Sequence, residues 1–194
     1  KEARQRLLAV AANIPPTFGQ FPDIEVALIA AQSGITAAIQ VARGGFDTHG
    51  NAAANDGANG SFAQATNAIT YLWDEAARRG IADRLYVVAA GEFSRTELNG
   101  GNGNDHKNVG AGCMIMGPAG WGLGNRTVGA TGPMHSAVAI NPKTGAVDPA
   151  GVMLNPGHVH TALQEFLGAG PTNTQLALGI PASDRISLFD PNMR

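Results

Sequence analysis

The sequence predicts an α/β fold in which helices cover a parallel or mixed sheet. Two observations lead to this prediction. Apolar runs typical of buried strands are separated by a long amphipathic helix, an order found in such sheets. The chain has 194 residues, of which 44% are apolar and only 14% charged, so it can bury the core of one domain. In such sheets ligands bind beyond the carboxyl ends of the strands.

The helices are predicted from apolar spacing and from residues that begin or end helices. The clearest covers residues 61–79, where apolar side chains recur every three or four residues and Gly80 ends the helix. Shorter helices are expected over residues 1–12, 23–32 and 158–167, the last beginning after an Asn-Pro-Gly sequence.

Buried strands are predicted where apolar residues follow one another without alternation. The three expected to lie side by side in the sheet are residues 35–42, 84–90 and 113–116. Residues 126–130 and 137–140 are shorter candidates, and residues 141–145 (NPKTG) are predicted to form a hairpin turn. Cys113 is the one cysteine, so no disulfide can form within the chain, and its apolar surroundings in sequence predict a buried, inert thiol.

Charge and hydropathy exclude two classes of partner. The net charge is −2 and no basic run exists, whereas binding of nucleic acid needs clustered lysine and arginine. No apolar run reaches the length of about 18 residues that a membrane span needs. No signal peptide is visible, and the abrupt helical start suggests a piece of a longer protein.

Polar motifs accompany the three predicted central strands. GGFDTH (residues 44–49) follows the first strand, GEFSRT (91–96) follows the second, and the glycine loop GGNGNDH (100–106) leads into the third. The side chains expected to converge at one edge of the sheet are Asp47, His49, Glu92, Arg95, Asp105 and His106. Imidazole with carboxylate suits zinc, manganese or iron, and two such clusters suit a binuclear site.

Each motif also has a simpler interpretation. The acid and histidine after the first strand could cap a turn, the acid and arginine after the second could form an ion pair, and the pair in the glycine loop could be solvated. His135 has no acid near it in the sequence and is interpreted as structural or exposed. His158 and His160 begin the last predicted helix, and one of them is a candidate ligand.

The glycine loop matches the first six positions of the calcium-binding repeat G-G-x-G-x-D. Such repeats occur in tandem, and this chain has one copy. The repeat also needs a large apolar residue two places after its aspartate, where this sequence has Lys107. We therefore interpret the glycines as hinges that let the loop deliver Asp105 and His106 to the edge of the sheet.

In order and spacing, GGFDTH, EFSRT and NGNDH resemble the bacterial family called domain of unknown function 1501. The resemblance covers residues from roughly 25 to 170 and includes YLWDE (71–75) and PGHVH (156–160). This family is a branch of the alkaline phosphatase and sulfatase superfamily. The resemblance implies a three-layer α/β/α sandwich with a mixed, mostly parallel sheet, and residues 1–194 would be the C-terminal part of one such domain.

The resemblance also implies an activity, the hydrolysis of small anionic phosphate or sulfate esters with two divalent metal ions, usually zinc, manganese or calcium. It places Asp47 and His49 at one metal, and Asp105 and His106 at the same metal or the adjacent one. Further roles implied for single residues concern Glu92 as an additional ligand, His158 or His160 as a late ligand, Arg95 as the group that neutralises an oxyanion, and Lys107 as an anion ligand.

The sequence departs from the family pattern in several places. Ser94 stands where glycine is usual, and Lys107 stands where an aromatic residue or glycine is common. The nucleophile of the superfamily lies in an N-terminal part that this chain lacks, and Cys113 is not in the sulfatase Cys-x-Pro-x-Arg context. Family members usually carry an export signal, which implies a periplasmic or extracellular location. The alternative function is an exported, non-catalytic surface or self-assembling protein, whose partner would be its own N-terminal part or copies of itself.

Overall fold

The computed structural model describes residues 1–91, 93–97, 103–107, 112–169 and 178–190. The chain divides into two compact units. The first comprises Lys1–Tyr86 with Gly101–Gly103, and the second comprises Val87–Gly100 with Asn104–Arg194. Among the helices of the described residues, none combines the length and the apolar character that crossing a membrane requires.

Three helices build the first unit: α1 (Glu2–Asn13), α2 (Pro22–Gln32) and α3 (Ser61–Arg78). Helix α2 has a proline in its first turn, together with Asp23 and Glu25, whose carboxylates favour the positive end of the helix dipole. Gly34 follows this helix with a φ of +68°, a left-handed conformation that glycine adopts without strain. Gly80 ends α3 in the same way, with a φ of +67°.

Helices α2 and α3 contribute most of the core of the first unit. Its buried apolar side chains are Ile24, Leu28, Ala68, Ala76 and Ile81. Glu25 is also buried, and its carboxylate accepts hydrogen bonds from the Tyr71 hydroxyl (2.6 Å) and the Gly19 amide (2.5 Å). The Arg79 guanidinium lies 3.8 Å from the other carboxylate oxygen. These partners compensate for the burial of a charge, and the hydrogen bond to Glu25 raises the pKa of Tyr71 to about 12.

The second unit contains four short strands: β1 (Val87–Ala90), β2 (Ser94–Arg95), β3 (His106–Lys107) and β4 (Cys113–Met116). They form two antiparallel pairs. In the first, β1 pairs with β4, with Val87 opposite Met116. In the second, β2 pairs with β3, with Arg95 opposite His106. Residues along β1 alternate between half-buried and exposed, as expected for an antiparallel strand with one face in solvent.

Helix α4 (Pro156–Phe166) packs in the core of the second unit. Ala162 of this helix and Ile186 are buried there. Phe166 stacks on Phe189 with their ring centroids 4.2 Å apart. The Arg126 guanidinium donates to the Leu188 carbonyl (2.5 Å), which fastens the segment that follows α4.

The four predicted helices are confirmed, each within two residues of its expected ends. The turn over residues 141–145 is confirmed as well. The Asn141 amide donates to the Ala146 carbonyl (2.8 Å), and the Asn141 side chain accepts a hydrogen bond from the Lys143 amide (2.9 Å). Local signals of spacing and turn chemistry therefore predicted these elements well.

The predicted sheet is wrong. Strands β1 and β4 pair antiparallel, and residues 35–42 form no strand. Residues 126–130 and 137–140 are not strands either, although Ala137 and Ile140 make isolated bridges. The described residues contain only the two small antiparallel pairs, and neither a large parallel sheet nor the implied sandwich is seen among them. An apolar run indicates burial, but it does not specify which strand pairs with it or in which direction.

The prediction of a buried thiol is also wrong, because Cys113 is exposed. It lies at the start of β4, in the antiparallel pair that leaves Met114 and Val88 exposed. Neighbouring atoms still surround the sulfur enough that burial raises the pKa of the Cys113 thiol. The thiolate is therefore disfavoured, in keeping with the expected lack of reactivity.

Candidate functional site

The first motif, residues 44–49, forms a turn in the first unit that holds a carboxylate beside an imidazole. Asp47 Oδ1 accepts a hydrogen bond from the His49 amide (3.2 Å) and lies 3.8 Å from His49 Nε2. Asp47 therefore caps the turn, which was one of its two interpretations. A carboxylate can accept further bonds at its other lone pairs, and both side chains are exposed, Asp47 at 74% and His49 at 44%. The pair thus combines the donor types of a metal site with access to solvent.

Gly103 of the glycine loop packs directly on this turn within the first unit. The residue is buried, and a Cβ placed on it would lie 1.9 Å from the His49 carbonyl oxygen and 3.0 Å from that of Thr48. No side chain fits at such a distance, so only glycine allows the approach. Gly100 and Gly101 lie outside the described residues. The hinge role predicted for the glycines is thus replaced, at position 103, by a need for close backbone contact.

The second and third motifs meet as a ladder in the second unit. Strand β2 carries Ser94 and Arg95, which lie opposite Lys107 and His106 on β3. The ladder continues one residue further, where the Thr96 amide donates to the carbonyl of the adjacent aspartate, residue 105 (2.9 Å), and its hydroxyl accepts from the amide of that residue (2.9 Å). Glu92, the acid predicted beside this group, lies outside the described residues. The structure therefore brings together two motifs that are about ten residues apart along the chain.

An aromatic ring that the sequence analysis did not select lies in the same ladder. Phe93 contacts the imidazole of His106, with ring centroids 3.8 Å apart and planes inclined by 32°. The guanidinium carbon of Arg95 lies 5.2 Å from the centroid of the same phenyl ring. Phe93 precedes Arg95 by two residues, so the period of two along a strand was the signal for a shared face.

Lys107 is placed differently from the anion ligand that the resemblance implies. Its ammonium group donates to the carbonyl oxygen of Met134. Met134 and His135 have φ values of +54° and +56°, a left-handed conformation that is costly for residues other than glycine. Neighbouring residues of a strand face opposite sides, so Lys107 projects away from the face that carries Arg95. Lys107 therefore fastens a strained turn.

His135 has an acidic neighbour that sequence proximity did not reveal. Its Nε2 lies 3.9 Å from Glu97 Oε1, and both side chains are more than half exposed. The interpretation of His135 as exposed is confirmed. The acid beside it comes from a distant part of the chain, which explains why a search along the sequence found none.

The two late histidines of the predicted set differ in their surroundings. His158 is buried at the start of α4, where its Nδ1 accepts the Asn155 amide (3.1 Å) and the Asn155 side chain accepts the His158 amide (3.3 Å). This reciprocal pair is a capping box. A neutral imidazole that accepts at Nδ1 carries its proton on Nε2, which opposes metal binding through that atom. His160 is exposed.

The donor atoms fit a divalent metal in kind. Asp47 with His49, and Asp105 with His106, each supply one carboxylate and one imidazole, which zinc and manganese accept. Within the part of the chain that the structure describes, no three His, Cys, Asp or Glu side chains are grouped so as to hold an ion. The two pairs belong to different units, so their gathering into one site stays a prediction.

Comparison with known proteins gives a family and no characterised relative. No curated protein and no solved structure matches the chain. A family model described as a protein of unknown function (DUF1501) matches residues 26–163. The match contains all three polar motifs and the capping box of α4, and it covers most of the chain. The chain therefore belongs to the DUF1501 family.

Proposed function

We propose that the protein is a metal-dependent hydrolase of phosphate or sulfate esters, with the fold of the alkaline phosphatase and sulfatase superfamily when its domain is complete. The observation that carries the proposal is the β2–β3 ladder, which sets Arg95 directly opposite His106. A guanidinium next to an imidazole and carboxylate is the composition needed to bind an anionic ester beside a metal ion. The family resemblance supplies the reaction class and the periplasmic or extracellular location.

The close packing of Gly103 supports a single site rather than two separate ones. Gly103 touches the turn that carries Asp47 and His49, and the chain needs only two more residues to reach Asp105. Each residue of an extended chain advances by at most about 3.6 Å. We infer that the loop is a delivery arm, anchored on the first motif and supplying the second carboxylate and imidazole.

In this proposal the two pairs hold two divalent ions, zinc, manganese or calcium, with Glu92 as a further carboxylate. When bound, such ions polarise an ester oxygen and lower the pKa of a coordinated water or nucleophile. Arg95 pairs with the negative charge of the ester, for which a planar guanidinium is well suited. His160 stays a candidate ligand, whereas His158 is assigned to the cap of α4.

Metal content tests the proposal directly. The wild-type chain, purified without chelator and dialysed against metal-free buffer, is expected to retain about two divalent ions per molecule. Asp47→Asn and His106→Ala should each lose at least one ion, whereas the matched control His135→Ala should keep both. Elemental analysis by mass spectrometry measures all four proteins. Wild type without any metal, or full metal in both site variants, would refute the hydrolase proposal.

A second candidate function, self-assembly with copies of this chain, is favoured by the segment 35–42. Ile35 and Ile39 are exposed at 45% and 44%, and the backbone of residues 39–41 makes no hydrogen bond to the described residues. An open groove of about 570 Å³ runs between this segment and α2. Such an unpaired apolar segment pairs readily with another strand.

The charge of this surface points to a second copy as its occupant. Residues 26–42 contain no charged side chain, and the rim charges of Arg43 and Asp23 already pair at 2.7 Å. An uncharged strand meets its own copy without repulsion in an antiparallel pair, and it offers nothing to attract a charged ligand. Both copies would thereby satisfy backbone groups that are otherwise unpaired.

Sedimentation velocity tests this second candidate. We expect wild type to form dimers or larger species with increasing concentration, and Ile39→Lys to remain monomeric. Ile14→Lys makes the same change at another exposed isoleucine, and it should associate like wild type. A monomeric wild type at all concentrations, or association of Ile39→Lys like wild type, would exclude this surface as an interface between copies.

A further inference from the structure

We propose that Phe93 is a positioning residue that fixes the ring of His106 for metal binding; the inference rests on the metal site proposed above. Strand pairing determines where the Cα of His106 lies, but it does not determine how the imidazole is rotated. The terminal torsion of a histidine side chain is broad and has little intrinsic preference. A second contact is therefore needed to present a chosen nitrogen to an ion.

Phe93 supplies that contact from the opposite strand. Its ring centroid lies 3.8 Å from that of His106, and the planes are inclined by only 32°. At this separation the two faces are in van der Waals contact, so rotation of the imidazole about its Cβ–Cγ bond would drive its edge into the phenyl ring. The contact uses the face of the imidazole and occupies neither nitrogen.

Arg95 in turn restrains Phe93. Its guanidinium carbon lies 5.2 Å from the phenyl centroid, within the range of a cation–π contact. Its Nη1 also donates to the Asn104 carbonyl at 3.4 Å. Arg95 and His106 are direct cross-strand partners, so three planar groups share one face of the ladder. Metal-binding histidines are usually oriented by a hydrogen bond at the second nitrogen, and here ring contact performs the same task.

Zinc affinity of the full 194-residue chain tests this role, measured by competition with a chromophoric chelator. Phe93→Leu keeps apolar volume but removes the flat ring, and we expect zinc to bind about 10–100-fold more weakly. Phe93→Tyr keeps the ring and should restore wild-type affinity. Phe166→Leu makes the same change in the other aromatic stack of this unit and should bind zinc like wild type. Equal affinity of Phe93→Leu and wild type would overturn the proposal.

A second readout separates this inference from the metal site itself. In the metal-free protein the phenyl ring should shift the His106 ring protons upfield in the NMR spectrum, and Phe93→Leu should remove that shift. If wild type binds no zinc, the hydrolase proposal fails, and the ring-current shift alone decides whether Phe93 orients His106. An identical His106 spectrum in wild type and Phe93→Leu would then reject the positioning role.

Discussion

At the scale of single residues, the protonation state of His158 couples helix α4 to pH. Its Nδ1 accepts the Asn155 amide, and burial holds its pKa below the ordinary value of 6.5. The cation carries a proton on both nitrogens, so it cannot accept that hydrogen bond. Because the unfolded chain binds the proton more readily, stability from this group is complete above pH 6.5 and is lost as pH falls below it.

We therefore predict that His158→Gln reduces the dependence of stability on pH between 7.5 and 5. Glutamine at this position retains a capping box but does not titrate. Urea unfolding at several pH values should show a smaller loss of unfolding free energy in acid for His158→Gln than for wild type. The control His160→Gln, at an exposed position of the same helix, should keep the wild-type pH dependence. Parallel curves for wild type and His158→Gln would contradict this account.

At the scale of elements, the loop before β3 depends on the absence of a side chain at one position. A Cβ at residue 103 would lie 1.9 Å from the His49 carbonyl oxygen, and backbone atoms cannot move aside as a flexible side chain can. We predict that Gly103→Ala lowers the free energy of unfolding by about 1–3 kcal/mol, the range for overpacked sites. It should also release metal if the delivery arm is correct.

Gly124→Ala is the matched control for this change. No atom lies within 4 Å of the corresponding Cβ position, and the φ of Gly124 is not in the left-handed region. Denaturant unfolding should show this variant within about 0.5 kcal/mol of wild type. If the two alanine variants are equally stable, the contact of Gly103 with the first motif is not a constraint.

The sequence predicted helices better than it predicted strands, for a physical reason. A helix such as α3 is determined by apolar spacing and by end signals such as Gly80, all of which lie within the element. A strand is determined by its partner, and nothing local to residues 84–90 indicates that their partner is antiparallel β4. The motifs after the strands were nevertheless chosen correctly, because two of them pair in the β2–β3 ladder. Phe93 was missed because apolar residues were examined only as core.

At the scale of the whole molecule, each of the two units has its own core and its own long-range constraint. In the second unit the constraint is Arg126, which holds the Leu188 and Asp190 carbonyls more than sixty residues away. In the first unit it is buried Glu25, which depends on Tyr71 and Arg79 from a helix much later in the chain. Stability in both units therefore depends on contacts that only the folded topology provides.

We predict that Tyr71→Phe acts on the rate of unfolding. It removes one hydrogen bond to a buried carboxylate, which should lower the free energy of unfolding by about 1.5–3 kcal/mol. Because the bond forms only after α2 and α3 have packed, the loss should appear mainly as faster unfolding, with little change in the folding rate. Stopped-flow measurements over a range of urea concentrations separate the two rates. A slower folding rate with unchanged unfolding would show that the bond forms early.

The burial of Glu25 also has a consequence for synthesis on the ribosome. Tyr71 follows Glu25 by 46 residues, an interval of roughly 2–9 s at translation rates of about 5–20 residues per second. During that time the carboxylate has no partner from α3, and its charge opposes the collapse of α2 onto other apolar segments. The buried acid thus keeps the nascent helix hydrated until the helix that completes its core has been made.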